Sequence, residues 1–226
     1  MSWERRREGV CHVLAWLSRR GLEQYEHGNP TRKDPIRDLV EQRHKILGRQ
    51  EVEALARARV IDFQGGVVLI PPPNDKDAVA ILHCHWEQAD GHLDCRIYYG
   101  LWQNIQTPEV VRTNRHKTIP VFTAYRFEIP EFGNHHNYYH SQYCISLGPL
   151  GTKPVPEALP LSVTYPAWPI AAENELQLAL SFIVAIYGFK VFDEFENETL
   201  QSTRWRTHAE LLAACRAMRA LQKHRI

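Results

Sequence analysis

A chain of 226 residues, 44% hydrophobic and 23% charged, has enough apolar material for one well-buried domain and is short for two. Its formal charge of +1 excludes a uniformly basic nucleic-acid binder, although residues 1–60 and 201–226 carry an excess of Lys and Arg and residues 131–200 an excess of Asp and Glu. The longest apolar run, Leu176 to Phe189, is interrupted by Gln177, Ser181 and Gly188, and the charged start, Glu4 to Glu8, lacks the apolar core of a signal peptide, so the expectation is a cytoplasmic protein with no membrane contact.

Trp3 to about His27 reads as a helix, with Val10, Val13, Leu14, Leu17 and Leu22 on one stripe and Gly28-Asn29-Pro30 ending it. A second helix is predicted from Asp34-Pro35 through Ile36, Leu39, Val40 and Leu47, and a third helical piece from Glu51 to Val60. The character then changes to strands: Gly66 to Pro71, 79–87, 92–101, 120–129 and 138–147. Asp90-Gly91 lies between the second and third of these and signals a tight hairpin. A proline-rich connector, 148–169, is predicted to hold a short strand at Leu159 to Val163. Two helices close the chain, Ala172 to Tyr187 and Thr207 to His224. The predicted architecture is a single α+β domain over 1–226, with a helical part (1–60), a mainly antiparallel sheet of about five strands (61–165), and C-terminal helices (166–226) packed on one sheet face.

Histidines crowd the sheet region, in His83-Cys84-His85, His92 and His135-His136-Asn137-Tyr138-Tyr139-His140. Alternate residues of a strand share a face. That places Ala80, Leu82, Cys84, Ile97, Tyr99, Phe127 and Ile129 on an apolar side. His83, His85, Glu87, His92, Asp94, Arg96, Tyr98, Arg126 and Glu128 fall on the other, with His140 and Gln142 assigned there less cleanly. A hairpin loop at 88–91 would set Glu87 opposite His92, His85 opposite Asp94 and His83 opposite Arg96, giving two acid–histidine pairs. The competing explanation is an ordinary solvated sheet face stabilised by complementary charges.

Three chemistries use these residues. His83 and His85 on one side of a strand suit zinc or another divalent metal, with His92 or Asp94 as a third ligand; His140 would lie three strand spacings away, roughly 14 Å. A dyad such as His85 with Asp94, or an imidazole at His140, would serve acid–base catalysis. Recognition would use Arg96, Arg126 and Gln142 for polar contacts and Tyr98 and Tyr138 for stacking, with the loop cations Arg112, Arg115 and Lys117 adding attraction. No GxSxG elbow, P-loop, HExxH or dinucleotide fingerprint is present. The cysteines Cys11, Cys84, Cys95, Cys144 and Cys215 are odd in number and form no CxxC, which fits reduced thiols.

The run Ala124-Tyr125-Arg126-Phe127-Glu128, then His136, Tyr139-His140-Ser141-Gln142, Leu159-Pro160-Leu161-Ser162 and Tyr187-Gly188-Phe189 resembles the layout of a group of small uncharacterised bacterial proteins, a domain of unknown function associated with mobile-element or antiviral defence loci. The resemblance spans residues 79–189 and implies a bacterial setting without assigning catalytic residues. The functional expectation is a non-catalytic accessory or recognition protein that needs no cofactor and binds nucleic acid or a protein partner through the polar sheet face and basic ends. The alternative is a metal-dependent hydrolase or nuclease using His83, His85 and Asp94.

Overall fold

The computed structural model describes residues 3–26, 45–46, 50, 61–62, 66–71, 79–89, 92–106, 118–130, 138–144 and 167–223. Among them are the helices α1 (Trp3–Glu26), α2 (Glu175–Gln201) and α3 (Ala209–Lys223). The strands are β1 (Lys45–Ile46), β2 (Ile61–Asp62), β3 (Gly66–Ile70), β4 (Val79–Ala89), β5 (His92–Gln106), β6 (Thr118–Glu128), β7 (His140–Cys144) and β8 (Ala167–Pro169). The sheet runs β1-β3-β4-β5-β6-β7-β8, with β2 pairing β4 as well, and every pairing except β1 with β3 is antiparallel. This is the expected α+β class, with C-terminal helices against a mainly antiparallel sheet that is larger than expected. The short strands β1, β2 and β8 account for the difference.

Helix α1 buries Val10, Val13, Leu14 and Leu17 of the predicted stripe, each at most 1% exposed. It lies close to β3: a side chain at Gly21 would run into the backbone of Leu69 and Ile70, so only glycine permits this approach. At α2 the chain begins on Asn174, whose side-chain oxygen accepts from the N–H groups of Leu176 (3.1 Å) and Gln177 (3.0 Å). Gln177 reaches back to accept from the Glu173 N–H at 2.9 Å, a close relative of the capping box. Gly188, with φ +79° and ψ 174°, breaks α2 into two helical stretches and occupies backbone space that other residues enter only under strain.

The core lies between the sheet and the helices. Leu82, Cys84, Ile97, Tyr99 and Phe127 form its sheet side, and Phe182 of α2 makes edge-to-face contacts with Tyr99 (5.8 Å) and Phe127 (5.2 Å). Ion pairs tie the helices together: Arg6 to the buried Glu175 at 2.7 Å, Arg20 to Glu194 at 2.8 Å, Arg19 to Glu198, and Arg219 of α3 to Asp193 (2.6 Å) and Glu196. Cys11, Cys84 and Cys215 are buried and not disulfide-bonded, and burial pushes the Cys11 and Cys215 thiols up to about 12.

Several expectations change. Lys45–Ile46 pairs with β3 as a strand, although the amphipathic spacing extended a helix through Leu47; pairing with a neighbouring strand prevails over local periodicity there. The rest of that helix, the piece at 51–60, the strand at 159–163 and residues 145–147 lie outside the described residues. The first stretch of α2 ends at the Gly188 break, where the apolar helix was expected to stop after Tyr187, but a second helical stretch that was not expected follows to Gln201; by length and composition alone Glu175–Gln201 could cross a membrane, and 56% of its most apolar stretch is buried within the protein.

Candidate functional site

The loop between β4 and β5 sets the site's register. Ala89 pairs with His92, leaving only Asp90-Gly91 between the strands. A two-residue Asp-Gly connection matches strand twist and lengthens the ladder, whereas a loop at 88–91 would have ended it earlier. Every pairing therefore moves along by two residues. Glu87 lies opposite Asp94, His85 opposite Arg96, and His83 opposite Tyr98, so neither expected acid–histidine pair forms. The shift is even, so the division into faces survives.

Continuing across the sheet, Arg96 pairs with Glu128 and Glu128 with His140, while Tyr98 pairs with Arg126 and Arg126 with Gln142. Two adjacent rows thus cross four strands: His85, Arg96, Glu128 and His140 in one, and His83, Tyr98, Arg126 and Gln142 in the next. Six of the residues singled out from the sequence for binding or catalysis occupy these rows: His85, Arg96, Tyr98, Arg126, His140 and Gln142. His140 lies three strands from His85, as expected.

The centre of the site is Glu128, which strand alternation placed on this face but which no sequence motif distinguished. It is 2% exposed. Its Oε2 lies 2.6 Å from Arg126 Nε and 3.4 Å from His140 Nε2, and its Oε1 lies 3.5 Å from Arg96 Nε. With its amide oxygen turned to the guanidinium, Gln142 accepts from Arg126 Nε at 3.1 Å and from Nη2. A carboxylate this buried is tolerated because cations surround it. The detectable sequence signal was the Arg126-x-Glu128 spacing, which puts both side chains on one face.

His140 is also 2% exposed. Its Nδ1 donates to the Tyr138 carbonyl oxygen at 2.9 Å while Nε2 faces Glu128. Both ring nitrogens are engaged inside the protein, so the ring braces the network and presents no nitrogen to a substrate. The two arginines differ: the Arg96 side chain is 32% exposed and that of Arg126 28%. Each therefore keeps part of its side chain in solvent while its Nε is held at the Glu128 carboxylate. Tyr138 is 36% exposed and meets the His140 ring edge-on at 5.6 Å.

The register does not gather the histidines proposed for metal. His92 lies four residues along β5 from Arg96, the partner of His85, a separation of roughly 13 Å along the strand. Opposite His85 stands a guanidinium, which repels a divalent cation, and Asp94 faces Glu87. Among the described residues no group of three His, Cys, Asp or Glu side chains has metal-binding geometry. Arg112, Arg115 and Lys117 lie outside the described residues. At the C-terminal end Arg219 is held by Asp193 and Glu196, and Arg204 stacks over Trp205 at 4.6 Å. The chain matches no family model, no curated protein and no solved structure.

Proposed function

We propose that this chain is a non-catalytic recognition protein whose sheet face binds the phosphate backbone of a single-stranded nucleic acid. One observation carries the reading: Arg96 and Arg126, on adjacent strands, are anchored by the same buried carboxylate while each keeps about a third of its surface in solvent. Anchoring removes much of the rotamer entropy that a long cationic side chain otherwise loses on binding, and the planar guanidinium suits phosphate oxygens. Tyr138, exposed at the margin of the same face, offers a ring for a base to stack on. The exposed Arg206, Arg216 and Lys223 add long-range attraction from the helical side. An accessory role of this kind fits the bacterial defence or mobile-element setting that the family resemblance implies.

The test is fluorescence anisotropy with labelled single-stranded RNA and DNA of mixed sequence at low salt. Wild-type protein is expected to bind, and Arg126→Ala and Arg96→Ala each to weaken binding across all sequences alike. Absence of binding at low salt defeats the proposal, and capture of an acidic protein in place of nucleic acid would reassign the same face to a protein partner.

A further inference from the structure

On the helical side of the sheet, where Phe127 packs against Phe182 of α2, the layers do not close completely. Ser141 of β7 pairs with Phe127 of β6 and Trp168 of β8, and the chain just beyond β8 is pinned to the sheet by the Ile170 N–H, which donates to the Tyr139 carbonyl oxygen at 2.8 Å. Between this edge, α2 and α3 a cleft of about 370 Å³ remains. Phe127, Ser181 and Met218 form its buried floor, at 2%, 7% and 3% exposure, and the exposed Ala171 and Ala185 stand at its rim. Their methyl groups leave open space that larger side chains would fill.

The lining is uncharged. Among the described residues that border the cleft, Ser141 and Ser181 are the only polar ones. Ser181 donates its hydroxyl proton to the Met218 sulfur at 3.6 Å, so the floor holds no unmet donor. A charged ligand would lose hydration here and find no counter-charge, which restricts the occupant to a neutral molecule. Volume sets its size. A cavity of about 150 Å³ takes one benzene ring, and this one, more than twice as large, takes two fused rings. The mostly apolar lining with a few polar groups is that of a small-molecule site. An aromatic ring system is favoured over an alkyl chain, because the Phe127 ring and the Met218 sulfur both gain from aromatic contact beyond simple burial and a rigid ligand loses no rotamer freedom.

We infer that this cleft binds a neutral, fused two-ring aromatic molecule. Apolar area removed from water drives the binding, and the uncharged walls reject the same ring system when it carries a carboxylate. None of the floor or rim residues belongs to the network of Arg96, Glu128 and Arg126, so the cleft can lack a ligand while the sheet face still binds one, and the reverse.

The chain holds two methionines, so isotopic labelling of methionine methyl groups gives two NMR resonances, and Met218→Leu identifies the one on the cleft floor. The full chain is titrated at neutral pH with indole, indole-3-carboxylate and 1-octanol, an alkyl ligand equal to indole in heavy atoms. Expected is a saturable shift of the Met218 resonance by indole with a dissociation constant of about 1 mM or tighter, and binding of the other two at least roughly tenfold weaker. Ala185→Phe and Ala171→Phe, both at exposed positions, fill the cleft and are each expected to weaken indole roughly tenfold or more; should one fail to fold, the other decides. Absence of saturation at about 10 mM indole, ten times the expected constant, overturns the assignment. So does carboxylate or octanol binding as tight as that of indole, or unchanged indole affinity in either folded variant. A dimer in sedimentation velocity that Ala185→Phe dissociates would also overturn it, giving the cleft to a second copy of the chain.

Discussion

Replacing Glu128 by Gln keeps the shape of the side chain and removes the charge on which the sheet-face network is built. The carboxylate is 2% exposed, with Arg126 Nε at 2.6 Å, His140 Nε2 at 3.4 Å and Arg96 Nε at 3.5 Å. Removing one partner from a buried ion pair costs about 3–5 kcal/mol when the other charge is left buried. Here the two arginine side chains retain 32% and 28% exposure, so water compensates them in part and screens the attraction. The discount brings the cost to the bottom of that range or just below it, and Glu128→Gln is expected to destabilise the fold by about 2–3 kcal/mol. Urea unfolding followed by tryptophan fluorescence would show this as a midpoint lowered by roughly 1 M at unchanged slope. A double-mutant cycle with Arg126→Gln should give a coupling of about 1–3 kcal/mol. A loss below about 0.5 kcal/mol, the range of ordinary surface substitutions, would refute the reasoning, because Glu128 would not then be a buried carboxylate ringed by cations.

Three further predictions concern the scaffold. Gly21→Ala adds a methyl group against the Leu69 backbone, which cannot yield as a flexible side chain would, and should destabilise by at least about 2 kcal/mol in the same unfolding assay despite the better helix propensity of alanine. Asn174→Ala removes the acceptor for the Leu176 and Gln177 N–H groups and should cost about 1 kcal/mol, with Asn174→Ser recovering most of it. The Cys11 and Cys215 thiols are raised from 9.0 to about 12 by burial, so the unfolded chain loses its protons first. Stability is then unaffected by these groups below about pH 9 and falls above it, by about 1.4 kcal/mol per thiol per pH unit until the folded thiols also ionise. Equilibrium unfolding between pH 8 and 10 checks the slope, and a Cys11→Ala, Cys215→Ala protein should lack that component of it.

Period-two alternation carried most of the legible information. It assigned the sheet residues to the correct faces and brought Arg96, Arg126, His140 and Gln142 to one side, because burial of Leu82, Ile97, Tyr99 and Phe127 against the helices leaves no other solution. Pairing between strands was less legible. One Asp-Gly dipeptide fits a two-residue or a four-residue loop, and the choice exchanged acid–histidine neighbours for His85 opposite Arg96. Glu128 was hard to distinguish because a lone glutamate in a strand reads as a solvated residue. What makes it central is its burial, which depends on three separate strands meeting around it. The polar face is correspondingly less open than an ordinary solvated one: Ile81, Glu128 and His140 on that side are all buried.

The most direct test of the sheet-face assignment is the salt dependence of single-strand binding, measured for wild-type protein and Arg126→Ala. If Arg126 contacts a phosphate, the logarithm of the binding constant falls linearly with the logarithm of salt concentration, and the substitution makes the slope shallower by about 0.7. An unchanged slope, or wild-type protein that does not bind at low salt, would contradict it.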